Sequence, residues 1–99
     1  MRRSAMAAGI WVRLMEKSHI IKDTIESCTH ENWTDALNEA CRRLDLSCPV
    51  LMPKHYRDFE TFSQTRFLPD HFIDSFPYDR MEVEYIDPDS HKSVNEKYL

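Results

Sequence analysis

A chain of 99 residues with a single glycine, Gly9, is closed to a large set of architectures. Phosphate-binding loops and dinucleotide fingerprints need several glycines to bring backbone against a pyrophosphate, so both are excluded. The acidic run Asp87-Pro88-Asp89-Ser90-His91 holds hard ligands, but its proline and lack of glycine spoil a calcium loop, and it reads as part of a polar tail. No Asn-Gly or Asp-Gly pair is present to close a tight hairpin, so any hairpin must turn on other residues.

Within those limits the composition is that of one small globular domain. Hydrophobic residues make up 41% and charged residues 30%, which argues against a disordered chain, and the length leaves no room for a second domain. The net charge of −4 gives no overall electrostatic case for nucleic acid or an anionic membrane. No run approaches the length needed to cross a bilayer. Three cysteines, Cys28, Cys41 and Cys48, are too few and odd in number for a disulfide-stapled secreted scaffold, which points to the cytoplasm. The basic pair Arg2-Arg3 precedes a mildly apolar run, but Arg13 interrupts it and its apolar residues continue into a strand pattern, against a signal peptide. Met6 is an alternative start to Met1.

Hydrophobic periodicity places the elements. Ile10, Val12 and Leu14 alternate with Trp11, Arg13 and Met15, the period of a strand from Ile10 to Lys17, apolar on both faces and therefore central. His19 to Glu26 reads as a second strand in a hairpin, with Ile21 and Ile25 on the face of His19 and Asp23. Trp33, Leu37, Cys41 and Leu44 recur at helical spacing and predict a helix from Trp33 to Leu46, capped by Asn32 and stopped before Pro49, with Glu39 and Arg43 as an i,i+4 ion pair. Val50 to Met52 reads as a short strand or a core plug, and Pro53 as the first residue of a second helix with Tyr56 and Phe59 on its apolar face. From Ser63 to Asp79 periodicity is lost, and an irregular aromatic-rich segment with one helical turn after Pro69 is expected. Arg80 to Ile86 alternates again, with Met81, Val83 and Tyr85 inward. The expected fold is α+β and two-layered, with a small, mainly antiparallel sheet in the order β-β-α-(β)-α-β and the last strand beside the first. Residues 1–99 form a single domain with an ordered core of about 10–87 and peripheral ends, without internal repeats.

Few residue sets carry chemistry. Cys28 and His30 with Cys41 and Cys48 lack the paired short spacings of zinc modules, and Cys41 falls on the apolar stripe of its helix, so no metal or other cofactor is expected. Cys28 beside His30 is the one local nucleophile–base pair, but Glu26 and Glu31 would raise its thiol pKa. A thiol enzyme would require Cys28 to react well ahead of Cys41 and Cys48. His71 and Asp74 are spaced for a pair on a helical turn, an arrangement usually left to solvent. Arg42, Arg43, Lys54, Arg57 and Arg66 with Tyr56 and Phe67 could grip a nucleic-acid strand, but Asp45, Asp58 and Glu60 interrupt the run.

Seven large aromatics from Phe59 to Tyr85 are many for one small core, so some are candidates for an exposed interface. Three strings stand together: Ile10-Trp-Val-Arg-Leu-Met-Glu-Lys17 with Ile21-Lys-Asp-Thr24; Pro53 through Thr65-Arg-Phe-Leu-Pro-Asp-His-Phe-Ile73; and Met81-Glu-Val-Glu-Tyr-Ile-Asp87. Across about residues 10–87 the chain resembles a group of short bacterial proteins of unknown function, which implies an intracellular bacterial protein and transfers no site residue. The expected role is a non-catalytic protein-interaction or accessory module, self-associating or serving another protein. Its surface is expected to join a sheet edge to Phe67, Phe72 and Phe76, with Arg57 and Arg66 as further contacts. The alternatives are a nucleic-acid-associated module on the basic residues and a small metal- or thiol-dependent enzyme.

Overall fold

A computed structural model describes residues 8–87. The two candidate start methionines, the basic pair and the acidic run beyond Asp87 lie outside the described residues. Strands β1 (Gly9–Glu16) and β2 (His19–Ser27) form the first hairpin, followed by α1 (Trp33–Arg43), α2 (Pro53–Phe62), β3 (Gln64–Phe67), a single 3-10 turn at Pro69–His71, and β4 (Arg80–Ile86). The sheet runs β2-β1-β4-β3 and is antiparallel throughout. The expected α+β fold is therefore present, with β1 central and the last strand beside it.

Alternation in β1 decides the two faces. Ile10, Val12 and Leu14 are fully buried and pair across the sheet with Tyr85, Val83 and Met81 of β4. On that face α1 lies over β1 and β2, and α2 lies beside β3. Leu37, Ala40 and Cys41 of α1 and Phe59 of α2 close the core, with Trp33 stacked on Phe59 at 4.2 Å between ring centroids. The opposite face carries Trp11, Arg13, Asp23, Ile25, Arg66, Glu82 and Glu84 and has no helix over it among the described residues.

Four expectations change. The fourth strand is Gln64–Phe67, inside the stretch read as irregular, and Val50 to Met52 is not a strand. Helix α1 stops at Arg43, because Asp45 adopts φ 61 and the Asp45 and Leu46 amides bond back to the Arg42 and Cys41 carbonyls. The Asn32 side chain does not cap α1; its Oδ1 accepts from the Thr29 amide at 2.8 Å and folds the preceding loop. Arg43 reaches across to Glu26 on β2, and Glu39 pairs with Arg42 instead.

Scarcity of glycine leaves three left-handed positions to other residues, and each is held by hydrogen bonds. Lys17 (φ 56) turns the first hairpin while its amide donates to Asp79 Oδ2 at 2.6 Å. Asp45 sits in the helix stop just described. Ser63 (φ 59) ends α2, donating its amide to the Phe59 carbonyl and accepting from the Tyr85 amide, both at 2.8 Å. The glycine itself is reserved for a close approach: a Cβ at Gly9 would lie 2.4 Å from the Glu26 carbonyl oxygen of β2.

Candidate interaction surface

On the open face, charge is largely satisfied within the sheet. The Arg13 guanidinium donates to Glu84 at 2.9 Å and Glu82 at 3.1 Å, and lies 4.3 Å over the Trp11 ring. Trp11 in turn donates its indole N–H to Asp23 of β2 at 2.8 Å, and Arg80 donates to Glu82 at 2.7 Å. Burial alone would push the Glu82 carboxyl up, but Arg80 and Arg13 more than offset it and hold it below its ordinary value. These contacts stitch β2, β1 and β4 together and leave few free ions in the middle of the face.

Beyond that lattice, β2 is different. It is a nine-residue edge strand whose only strand neighbour among the described residues is β1. Ile25 is 63% exposed, Ile21 47% and Ile20 45%. Ile25 stands opposite Trp11 and Ile20 opposite Met15, while Ile21 is the extra residue of a bulge between the Leu14–Lys22 and Met15–Ile20 pairs. The side of β2 that faces α1 carries Lys22, Thr24 and the buried Glu26, whose charge is met by Arg43.

The phenylalanines expected at the surface are elsewhere. Phe67 is fully buried, and Phe72 and Phe76 stack on one another at 4.1 Å, also buried. They hold the irregular segment onto the core and offer no exposed patch. Arg57 and Arg66 are exposed, but on opposite layers: Arg57 on α2, Arg66 on the open face beside Glu82. Arg42 and Arg43 already pair with acids, so the five basic residues share no single face. An open cleft of about 490 Å³ at the β3 edge brings Arg13 and Arg66 together with Asp58 and Glu82, a balanced rather than a cationic lining.

The local nucleophile–base pair is also quiet. Cys28 follows β2, and burial pushes its thiol up to about 11, so it stays protonated at neutral pH. His30 leans on Phe59 and, edge-on, on Tyr85, with Nε2 3.5 Å from Ser63 Oγ. His71 spends Nδ1 on the Leu68 amide at 2.9 Å rather than on Asp74.

The structure repeats one local device that periodicity does not reveal. Met52-Pro-Lys-His55 and Leu68-Pro-Asp-His71 each start a helical turn on proline and use the histidine Nδ1 to accept the amide of the residue before that proline. The shared X-Pro-X-His spelling was the available signal. The two imidazoles meet edge to face with centroids 4.8 Å apart, and His55, fully buried, leaves Nε2 without a hydrogen-bond partner. Burial first, then the charges of His71 and Lys54, lower its pKa to about 4 against a small opposing pull from Asp58.

Among the described residues, no three side chains of the His, Cys, Asp and Glu types converge as a metal site, and no helix is long and apolar enough to cross a membrane. No family model, curated protein or solved structure matches this chain.

Proposed function

We propose that this protein is a non-catalytic interaction module that self-associates by adding β2 of a second copy to its own β2 edge. The observation that carries the reading is the nine-residue strand whose outer edge has no strand beside it among the described residues and which bears Ile20, Ile21 and Ile25 in water. Exposed backbone donors and acceptors on an edge gain partners when a strand is added, and alternate side chains set the register.

Symmetry narrows the register. In a two-fold antiparallel pair, facing residues must share a face, so the axis passes through a residue. An axis at Lys22 or Asp23 sets like charges against each other. An axis at Thr24 sets Lys22 against Glu26 of the partner copy, twice, adding a cation to a carboxylate that Arg43 already meets, and leaves the bulge at Ile21 at the end of the paired stretch, opposite Ser27. Charge complementarity therefore favours Thr24 at the centre. An intracellular setting fits three cysteines that stand free and is part of the same proposal.

Native mass spectrometry of the reduced full chain tests the reading. A dimer that dissociates on dilution is expected. A monomer at every concentration would refute self-association, and a retained metal or small molecule would refute the non-catalytic module.

A further inference from the structure

Cys41 and Cys48 are brought together by the way α1 ends. The Asp45 and Leu46 amides fold the chain back onto the Arg42 and Cys41 carbonyls, and the segment to the buried Pro49 then runs back beside the helix. Cys48 Sγ lies 2.8 Å from Asn38 Oδ1 and 3.9 Å from the Leu37 carbonyl, one helical turn before Cys41. Cys41 follows Leu37 by one turn on the buried stripe of α1, and Cys48 packs against the core cluster that holds Cys41. Cys41 is 1% exposed, whereas Cys48 is half-buried and open to a small oxidant.

We propose that Cys41 and Cys48 form a reversible disulfide in response to a hydroperoxide, with Cys48 as the entry thiol and Cys41 as the resolving thiol. Cys48 first releases its proton to water, and the thiolate sulfur attacks one peroxide oxygen. An S–O bond forms, the O–O bond breaks and hydroxide leaves, so sulfur is oxidised to the sulfenic acid and the peroxide is reduced. The Cys41 sulfur then attacks the Cys48 sulfur. An S–S bond forms, the S–O bond breaks, and the departing hydroxide leaves as water with the Cys41 proton. The sum is two thiols and one hydrogen peroxide giving one disulfide and two waters.

Asn38 suits both states of Cys48. Its Oδ1 accepts from the thiol as the structure stands, and the same amide turned over offers N–H groups to the thiolate. Burial pushes the Cys41 thiol strongly up, which keeps it from being oxidised first. Cys28 lies outside this pair, with its own thiol held protonated.

The test is graded hydrogen peroxide on the folded full chain, followed by proteolysis without reduction and peptide mass mapping. The expected product has lost two hydrogens, links the Cys41 and Cys48 peptides, and reverts with dithiothreitol. Cys48→Ser should abolish the link, and Cys41→Ala should leave a sulfenic acid at Cys48 that dimedone traps. Asn38→Asp, which leaves the core untouched, should slow closure about tenfold by disfavouring the thiolate. Sulfinic acid at Cys48 with Cys41 intact, or Cys28 oxidised first, would overturn the proposal. An unchanged closure rate in Asn38→Asp would overturn the entry role of Cys48.

Discussion

The two edges of this sheet are built to opposite specifications. Strand β3 is four residues long, begins at the turn on Ser63 and stops before Pro69. It shows Gln64 and Arg66 to solvent and leans on α2. Those are the ordinary devices that blunt an edge against added strands. Strand β2 is nine residues long, contains no proline or glycine, and exposes three isoleucines, with Lys22, Asp23 and the bulge at Ile21 as deterrents. Protection of one edge and exposure of the other, within one small sheet, is what makes the open edge informative.

The contrast can be broken most sharply at the isoleucines. Ile21→Asp with Ile25→Asp should weaken self-association about hundredfold, read by sedimentation equilibrium, because position 25 faces Asp23 of the partner copy, twice, and the change sets like charges together. The matched change at the other edge, Gln64→Lys with Arg66→Glu, should leave association unaltered. Equal losses from both edges would remove the distinction.

Attachment of β2 to the sheet is the next place to probe. Gly9→Ala drives a methyl group into the Glu26 carbonyl and should cost about 1–3 kcal/mol in denaturant unfolding. A neutral result would mean that β1 and β2 part easily at that end.

A smaller, pH-dependent effect separates the core under β3 from the β2 edge. The folded pKa of His55, about 4, lies below the 6.5 of a free imidazole, so between those values the unfolded chain binds a proton that the folded chain does not. Stability should be unaffected by this group above about pH 6.5 and fall as pH drops towards 4. His55→Gln keeps an acceptor for the Met52 amide and cannot titrate. Its unfolding free energy should lose that part of the slope, while Glu82, held low by Arg80 and Arg13, still loses stability at lower pH. A slope identical to the parent's would show that His55 is not the titrating group.

The smallest effect expected is on nucleic acid. Arg57→Glu with Arg66→Glu should leave retention on single-stranded DNA unchanged, because these charges sit on different layers and near acids. A marked drop in retention would revive a basic face.

What was legible in the residues follows where the forces act. Strict alternation at Ile10–Val12–Leu14 and Met81–Val83–Tyr85, and helical spacing at Trp33–Leu37–Cys41, come from neighbours a few positions apart, and all three elements form. Strand β3 has no such signature: Gln64 to Phe67 is extended because β4 pairs with it. The end of α1 is hidden in the residues because Leu44 and Leu46 continue the apolar pattern while the backbone has already turned at Asp45. The orientation of β2 rests on Arg43 neutralising Glu26 from another element, a pairing that spacing along the chain does not reveal. An exposed sheet edge is present as expected, whereas Phe67, Phe72 and Phe76 are buried. An apolar residue reads the same whether it fills a core, as Phe67, Phe72 and Phe76 do, or meets water, as Ile25 does.

Deuterium exchange at low and high protein concentration tests the role of β2 most directly, since it reads each edge separately. If β2 accepts a second copy, its outward amides become protected as concentration rises, with Thr24 near the centre of protection and β3 unchanged. Protection that rises at β3, or β2 amides that exchange equally fast in an assembled dimer, would contradict it.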